Sequence, residues 1–238
     1  MAEPFDTLMQ VQERDTAVDQ LRHRRDALPE RAALAEVGDR RSQLDRSMGE
    51  VQSQVEALTV RQRHLEEQIA ATAKRRHEIE QRMQSGAISA SRDLQAMDHE
   101  VGQLAERQSH LEEEDLVLLE EQEPLEARLD EDRKAAASLA TEAERLTSSI
   151  AEAETGLDAA IAAESEARDR LFPALPSELA ERYELLRSHL GGVGAARLVG
   201  ERCDGCHLTL PSVEMERIRR LPPDEIATCP QCDRILVH

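Results

Sequence analysis

Aromatic side chains are nearly missing from this chain: Phe5, Phe172 and Tyr183 are the whole set in 238 residues, and tryptophan is absent. A globular domain of that length ordinarily fills its core with many more large rings, so one large globular core is excluded. Long apolar runs are missing too, and nothing approaches the ~20 residues needed to cross a bilayer. At the N-terminus, Met1-Ala2-Glu3-Pro4-Phe5-Asp6 has no basic region followed by an apolar run. The expectation is therefore no signal peptide, no membrane and a cytoplasmic setting. There is no Gly-rich phosphate loop, no nucleophile elbow and no histidine pair at metal spacing outside the tail, so no enzyme is expected. His23, His64, His77, His99 and His110 read as solvated helix positions.

What the chain does have is charge. Charged residues make up 33% of it, and the net charge is −19. Ala, Glu, Leu, Arg and Gln dominate, which is the composition of long helices and coiled coils. The expected fold is mainly α: a long antiparallel coiled-coil helical hairpin plus a small C-terminal β domain.

From Phe5 to about Leu28 the apolar residues Leu8, Val11, Val18, Leu21 and Leu28 recur at helical spacings. Pro29 lacks the helical N–H and disfavours helix in the residue before it, so a kink falls there and a new helix starts. From Leu44 a heptad seam runs through Val51, Leu58 and Leu65 in one row and Met48, Val55 and Ile69 in the other, with Gln62 and Arg76 as polar intrusions. Residues 85–91, with one glycine and three serines, read as the hairpin tip, and Ser91 as the cap of the next helix. Ser91, Arg92 and Asp93 are the candidate tip residues. A second seam starts at Leu94 and Met97 and holds its register to Leu171, through Pro124, which is expected to kink the helix without ending it.

If the arms pair antiparallel, residue i faces roughly residue 175 − i. Charge supports this. Residues 91–170 hold 23 acidic and 8 basic side chains, whereas residues 61–90 hold 6 basic and 4 acidic. Lys74, Arg75 and Arg76 would face Asp98 and Glu100; Arg61 and Arg63 would face Glu112, Glu113 and Glu114; Arg22, Arg24 and Arg25 would face Glu152 and Glu154. Val60, Val117 and Leu119 are apolar residues left off the seam. The expected division is 1–172 coiled-coil hairpin, 173–194 short helix and linker, and 195–238 a small C-terminal β domain. In the linker region Ser177 reads as a helix cap, Gly191-Gly192 as the stop, and Gly194 as a flexible joint. A monomer and a homodimer both fit.

All four cysteines stand in the tail, as Cys203-Asp204-Gly205-Cys206 and Cys229-Pro230-Gln231-Cys232, with 22 residues between the pairs. A two-residue gap turns both sulfurs of a pair toward one point, and two such knuckles supply the four thiolates that structural Zn2+ prefers. Gly205 is read as permitting the tight turn of the first knuckle. Disulfides would need an oxidising compartment, and a rubredoxin-type iron site usually has glycine directly after each pair, where this chain has His207 and Asp233. A catalytic zinc is disfavoured, since four thiolates leave no position open. Strands are expected at residues 196–200, 207–210 and 234–237, with a short helix capped by Ser212, and this order of strands and knuckles makes residues 195–238 a C4 zinc ribbon.

Several of these segments resemble the bacterial coiled-coil proteins with a C-terminal C4-type zinc ribbon: Ser91-Arg92-Asp93-Leu94-Gln95-Ala96-Met97 after the tip, the helix end Tyr183 to Gly192, and both cysteine motifs with Leu208-Thr209-Leu210-Pro211 and Arg234-Ile235-Leu236. The family ending usually has glycine where Asp233 stands and often tyrosine where Val237 stands. The resemblance implies zinc held by the four cysteines and a non-enzymatic regulatory or adaptor role. It also implies links to nucleic-acid binding, transcription or RNA control.

Two functions are therefore weighed. The first is an adaptor that binds protein partners through the arms or the ribbon. The second is direct RNA or DNA binding by the ribbon, with Arg197, Arg202, Arg217, Arg219, Arg220 and Arg234 as phosphate contacts. Against the second, residues 195–238 hold six basic and seven acidic side chains and no aromatic platform for stacking bases. A polymerase-channel factor would need acidic residues at the tip, and there Asp93 stands alone.

Overall fold

Three long helices account for most of the chain. The computed structural model describes residues 3–86, 90–222 and 225–238. Helix α1 spans Glu3–Asp26, α2 Pro29–Gln84 and α3 Ser91–Leu171, followed by a single 3-10 turn and α4 at Ser177–His189. The tail carries β1 (Ala195–Val199), β2 (Arg202–Cys203), α5 (Ser212–Arg220), β3 (Ala227–Thr228) and β4 (Ile235–Val237). The helix break falls at Ala27-Leu28 with Pro29 opening α2, as its missing N–H requires. Helix α3 continues through Pro124. Ala87 to Ser89 of the expected tip, and Pro223, lie outside the described residues.

Contacts divide the chain into two units, one of Leu34–Arg145 and one of the residues up to Ala33 together with Leu146–His238. In the first, α2 and α3 pair antiparallel as a coiled-coil hairpin. Val51, Val55 and Leu129 form a buried cluster with Met48 and Leu125 against it. The expected register holds here: Arg75 meets Glu100 at 3.1 Å, and Arg128 donates to Ser47 Oγ at 2.9 Å. Arg61 lines one groove with Glu114, at the expected level. Neither Arg61 nor Arg63 forms an ion pair with Glu112, Glu113 or Glu114 among the described residues.

In the other unit, α1 lies with the end of α3, α4 and the whole ribbon. Arg25 on α1 and Arg31 on α2 both reach Glu154, at 3.7 and 2.5 Å, so one carboxylate pins both sides of the Pro29 break. The pairing rule slips here, since it would place Arg31 opposite Glu144. The break removes Ala27 and Leu28 from the helical count and lets two helix ends share one stretch of α3. Arg22 pairs with Asp19 on its own helix, not with Glu152.

The three serines expected as caps are corrected together. Ser91, Ser177 and Ser212 are each the first helical residue, and the residue before supplies the cap position: Ala90, Pro176 and Pro211, whose carbonyls accept the first helical N–H groups. A β-region proline directly before a helix sets the entry angle through its fixed φ, and the serine is displaced one position inward.

The ribbon sheet runs β2-β1-β4-β3, with β1 parallel to β4 and the other pairs antiparallel. Strand alternation divides its side chains between two cores. Ala195, Ile235 and Val237 face Leu8, Met9, Val11, Leu179, Tyr183 and Leu186 of the helices. Ala196 and Leu236 face Leu210, Met215 and Ile218 around Cys203 and Cys229. The strand expected at residues 207–210 is reduced to one bridge, Thr209 to Arg202, because His207 takes a left-handed φ of 60° that an extended strand cannot hold.

Candidate metal centre

Each knuckle is a short loop closed by the same two backbone bonds. His207 N donates to Cys203 O at 2.8 Å and Cys203 N to Leu208 O at 3.0 Å. In the second knuckle Asp233 N donates to Cys229 O at 2.9 Å and Cys229 N to Arg234 O at 2.9 Å. Identical spacing yields identical loops, and the residue after each pair must turn left-handed: His207 at φ 60° and Asp233 at φ 59°. A non-glycine residue is strained there, and Asp bears it better than most. Replacing Asp233 with glycine is expected to stabilise the zinc-loaded chain by about 0.5–1 kcal/mol, and with valine to destabilise it by more than that. Thermal unfolding of the two variants checks the sign.

Gly205 is required for a different reason from the one expected. Its φ is not in the left-handed region, but a Cβ there would lie 2.7 Å from Arg234 Cδ and 2.9 Å from Ala196 Cβ. The first knuckle packs flat on the strand beneath it, and only glycine fits. Gly194 is likewise no joint. A Cβ would sit 2.9 Å from Tyr183 Cδ2; its N–H donates to Gln12 Oε1 at 2.7 Å, and its carbonyl accepts from Ile235 N.

All four sulfurs lie within 4.8 Å of one another. Cys203 Sγ is 3.9 Å from Cys232 Sγ, and Cys206 Sγ is 3.9 Å from Cys229 Sγ. Tetrahedral zinc with Zn–S bonds of ~2.3 Å needs sulfurs about 3.8 Å apart, so the cluster fits one ion. All four cysteines are free, and the paired sulfurs stand well beyond the ~2.05 Å of a disulfide bond. Burial pushes the Cys203 and Cys229 thiols up, Cys229 to about 12. Burial also acts upward on Cys232, but hydrogen bonds from the backbone and side chain of Arg234 and from neighbouring thiols outweigh it and bring it down to about 7. The backbone N–H groups aimed at the sulfurs are the donors that hold thiolate ligands in place. His207 is exposed, with Nδ1 3.9 Å from Asp204 Oδ1, and is not a ligand.

The six arginines have different surroundings. Arg234 is half-buried, with Nε donating to Val193 O at 3.0 Å and Nη2 to Leu190 O at 3.3 Å. It satisfies carbonyls at the end of α4 and in the following turn instead of facing solvent. Arg217 and Arg220 pair with Glu214 and Glu216 on their own helix at 2.7 and 2.9 Å, and Arg197 lies 3.8 Å from Glu13. Arg202 and Arg219 are exposed, without a carboxylate partner among the described residues. At the tip, Ser91, Arg92 and Asp93 are exposed on the first turn of α3.

What sequence reasoning missed is the polar clamp on α1. Buried Gln12 accepts from Gly194 N at 2.7 Å and Ala195 N at 3.2 Å, and donates to Gly192 O at 3.0 Å. It thereby satisfies the chain just as it enters β1. Buried Asp15 accepts the Tyr183 hydroxyl at 2.7 Å and lies 3.4 Å from Arg168 and 3.3 Å from Arg187. Burial, and then the hydrogen bond to Asp15, raises the Tyr183 hydroxyl far above its usual range, so it stays a donor. The one clue in the sequence was that Asp15 stands seven residues after Leu8, on an apolar row.

A C4-type zinc ribbon domain matches residues 202–236, which decides for zinc over iron. A CT398-like coiled coil hairpin domain matches residues 11–191. The chain belongs to the CT398-like coiled coil hairpin family. An uncharacterized protein of Mycobacterium tuberculosis is 31% identical over 232 residues, covering 98% of this chain and 94% of that relative. A solved structure from Mycobacterium smegmatis matches with TM-score 0.74 and 28% identity over 100% of this chain and 99% of its own. CT398 of Chlamydia trachomatis matches with TM-score 0.69 and 19% identity over 98% and 97%. HP0958 of Helicobacter pylori matches with TM-score 0.53 and 18% identity over 98% and 96%. These last two share the fold. Among the described residues, no helix of this CT398-like protein is long and apolar enough to cross a membrane.

Proposed function

We propose that the chain is a non-enzymatic adaptor or regulator that binds protein partners in transcription or RNA control. The observation that carries this is a set of large apolar side chains left in water on the hairpin: Val60 at 65% exposure, Leu116 at 59% and Val117 at 52%. Helices bury their apolar stripe and present polar residues outward, so grouped exposed aliphatics mark a surface meant for another protein. A metal centre with all four positions filled by thiolates supports a structural role for the zinc, with no place for substrate.

Direct RNA or DNA binding through the ribbon arginines is the second reading, with Arg202 and Arg219 as its free cations. It is the weaker one, because Arg217 and Arg220 are neutralised in place and Arg234 is built into the fold. Recovering co-purifying molecules with and without nuclease separates the two. Protein partners are expected to survive nuclease and to be indifferent to R217E, R219E and R220E. Loss of every partner after nuclease, with binding that falls steeply in salt, overturns the adaptor reading in favour of nucleic acid.

A further inference from the structure

The middle of the hairpin is built partly inside out. On α3, three positions in one row of the seam, seven residues apart, are polar: Gln108, Asp115 and Gln122; Leu111 and Leu118 of the other row are buried. Each of the three polar residues keeps a side-chain oxygen buried without a hydrogen-bond partner. Just outside this seam, Leu116 and Val117 are more than half exposed, and Leu119 is 41% exposed. Moving aliphatics from the surface row into the seam would remove both costs. Their position is wasteful for an isolated hairpin and reasonable if the outer row is buried in another contact.

The charge around this row tells what that contact is. Residues 112–126 hold eight carboxylates and no basic side chain. None of the eight pairs with a Lys or Arg among the described residues; the one ionic contact is His110 to Glu114 at 3.4 Å. Elsewhere the arms do neutralise each other, as Arg75 does Glu100. Beside Val117 runs a groove of about 450 Å³ lined by Leu65 and Leu118, with Arg61 and His64 of α2 and Glu114 and Glu121 of α3, so one arginine stands against the whole run of carboxylates there.

We propose that this stretch of α3 is the docking site for a basic amphipathic helix of a partner protein. Its apolar face covers Leu116, Val117 and Leu119, and its Lys and Arg side chains meet the unpaired carboxylates. A second copy placed face to face would set eight carboxylates against eight, and nucleic acid or an anionic membrane would be repelled. The proposal rests on the adaptor reading and names its partner class.

The test uses the zinc-loaded full chain and a labelled synthetic peptide of about 20 residues, with Leu at helical i, i+3, i+4 spacing and Lys elsewhere. A scrambled peptide of the same composition is the control for charge alone. The patterned peptide is expected to bind more tightly. L116Q with V117Q is expected to weaken it by about tenfold or more, the loss that goes with one large apolar contact. Exchange of Glu120, Glu121 and Glu123 for Gln is expected to weaken both peptides and to flatten the salt dependence. All these positions are exposed, so helix content by circular dichroism should not change. Equal binding of patterned and scrambled peptides, or no effect of L116Q with V117Q, overturns the proposal. So does sedimentation showing a dimer that L116Q with V117Q dissociates. A photo-crosslinker placed at position 117, and in parallel at Val213 on the ribbon, separates this failure from the wider one. A basic helical segment mapped by mass spectrometry at 117 supports the site. Capture only at 213 overturns it and leaves the adaptor reading standing. Capture of no protein at either position overturns both.

Discussion

Exchange of Cys229 for serine is expected to remove the zinc and unfold the ribbon while leaving most of the helical signal intact. A structural zinc site contributes about 10–16 kcal/mol of apparent binding free energy at neutral pH, comparable with or larger than the ~5–15 kcal/mol that holds a whole domain together. A stretch of about forty residues buries too little apolar surface to make that up. Cys229 is fully buried in the ribbon core, so the variant also places a hydroxyl where no acceptor is arranged. The effect reaches beyond the tail. Strands β1 and β4 carry Ala195, Ile235 and Val237 onto the same core as Leu8, Met9 and Val11, so α1 loses part of the surface it packs against. Metal analysis should show zinc content falling from one per chain to near none. Hydrogen exchange should show β1 and β4 losing protection, with α1 exchanging faster, while Leu34–Arg145 keeps its own seam. A C229S chain that retains zinc, or ordered strands after chelation, would remove the basis of this account.

The second large effect is expected at Asp15. Replacing it with alanine leaves the Tyr183 hydroxyl without its acceptor and Arg168 and Arg187 without their shared carboxylate, in a place where Asp15 is only 5% exposed. Removing one partner of a buried ionic cluster typically costs about 3–5 kcal/mol, because the remaining charges stay desolvated. Asp15→Asn keeps an oxygen for the hydroxyl and is expected to cost less, about 1–3 kcal/mol. Arg187 retains Asp19 at 3.1 Å, and Arg168 retains Glu184, which limits the loss to that range. Urea unfolding of the zinc-loaded variants gives both numbers. If D15A were as stable as the parent chain, the clamp would not be what joins α1 to α4.

How much of this was readable without coordinates depends on the range of the interaction. The cysteine pairs were legible as a zinc site because chelation is set by spacing within four residues, and the structure closes both knuckles with the same bonds. The heptad rows were legible because a period of 3.5 repeats locally, and the antiparallel register followed from the position of the tip, with charge in support. The serine caps were misplaced by one residue because Ser177 and Ser212 compete with a preceding proline whose fixed φ decides the entry. Arg61 reaches the level of Glu114, as the register predicts, yet no ion pair between them forms among the described residues. Facing positions set only the level along the helix, while an ion pair needs the azimuth of both side chains.

The sequence by itself determined the helix pattern, the break at Pro29 and the four ligands, since each is dictated by neighbours along the chain. Only the tertiary structure decided that Gln12 and Asp15 tie α1 to the strand leading into the zinc centre, across more than 160 residues. It alone showed Gly194 and Gly205 to be points of close approach and Arg234 to be spent on backbone carbonyls. Burial and hydrogen-bond satisfaction are properties of what surrounds a residue, and for these residues the surroundings come from distant parts of the chain.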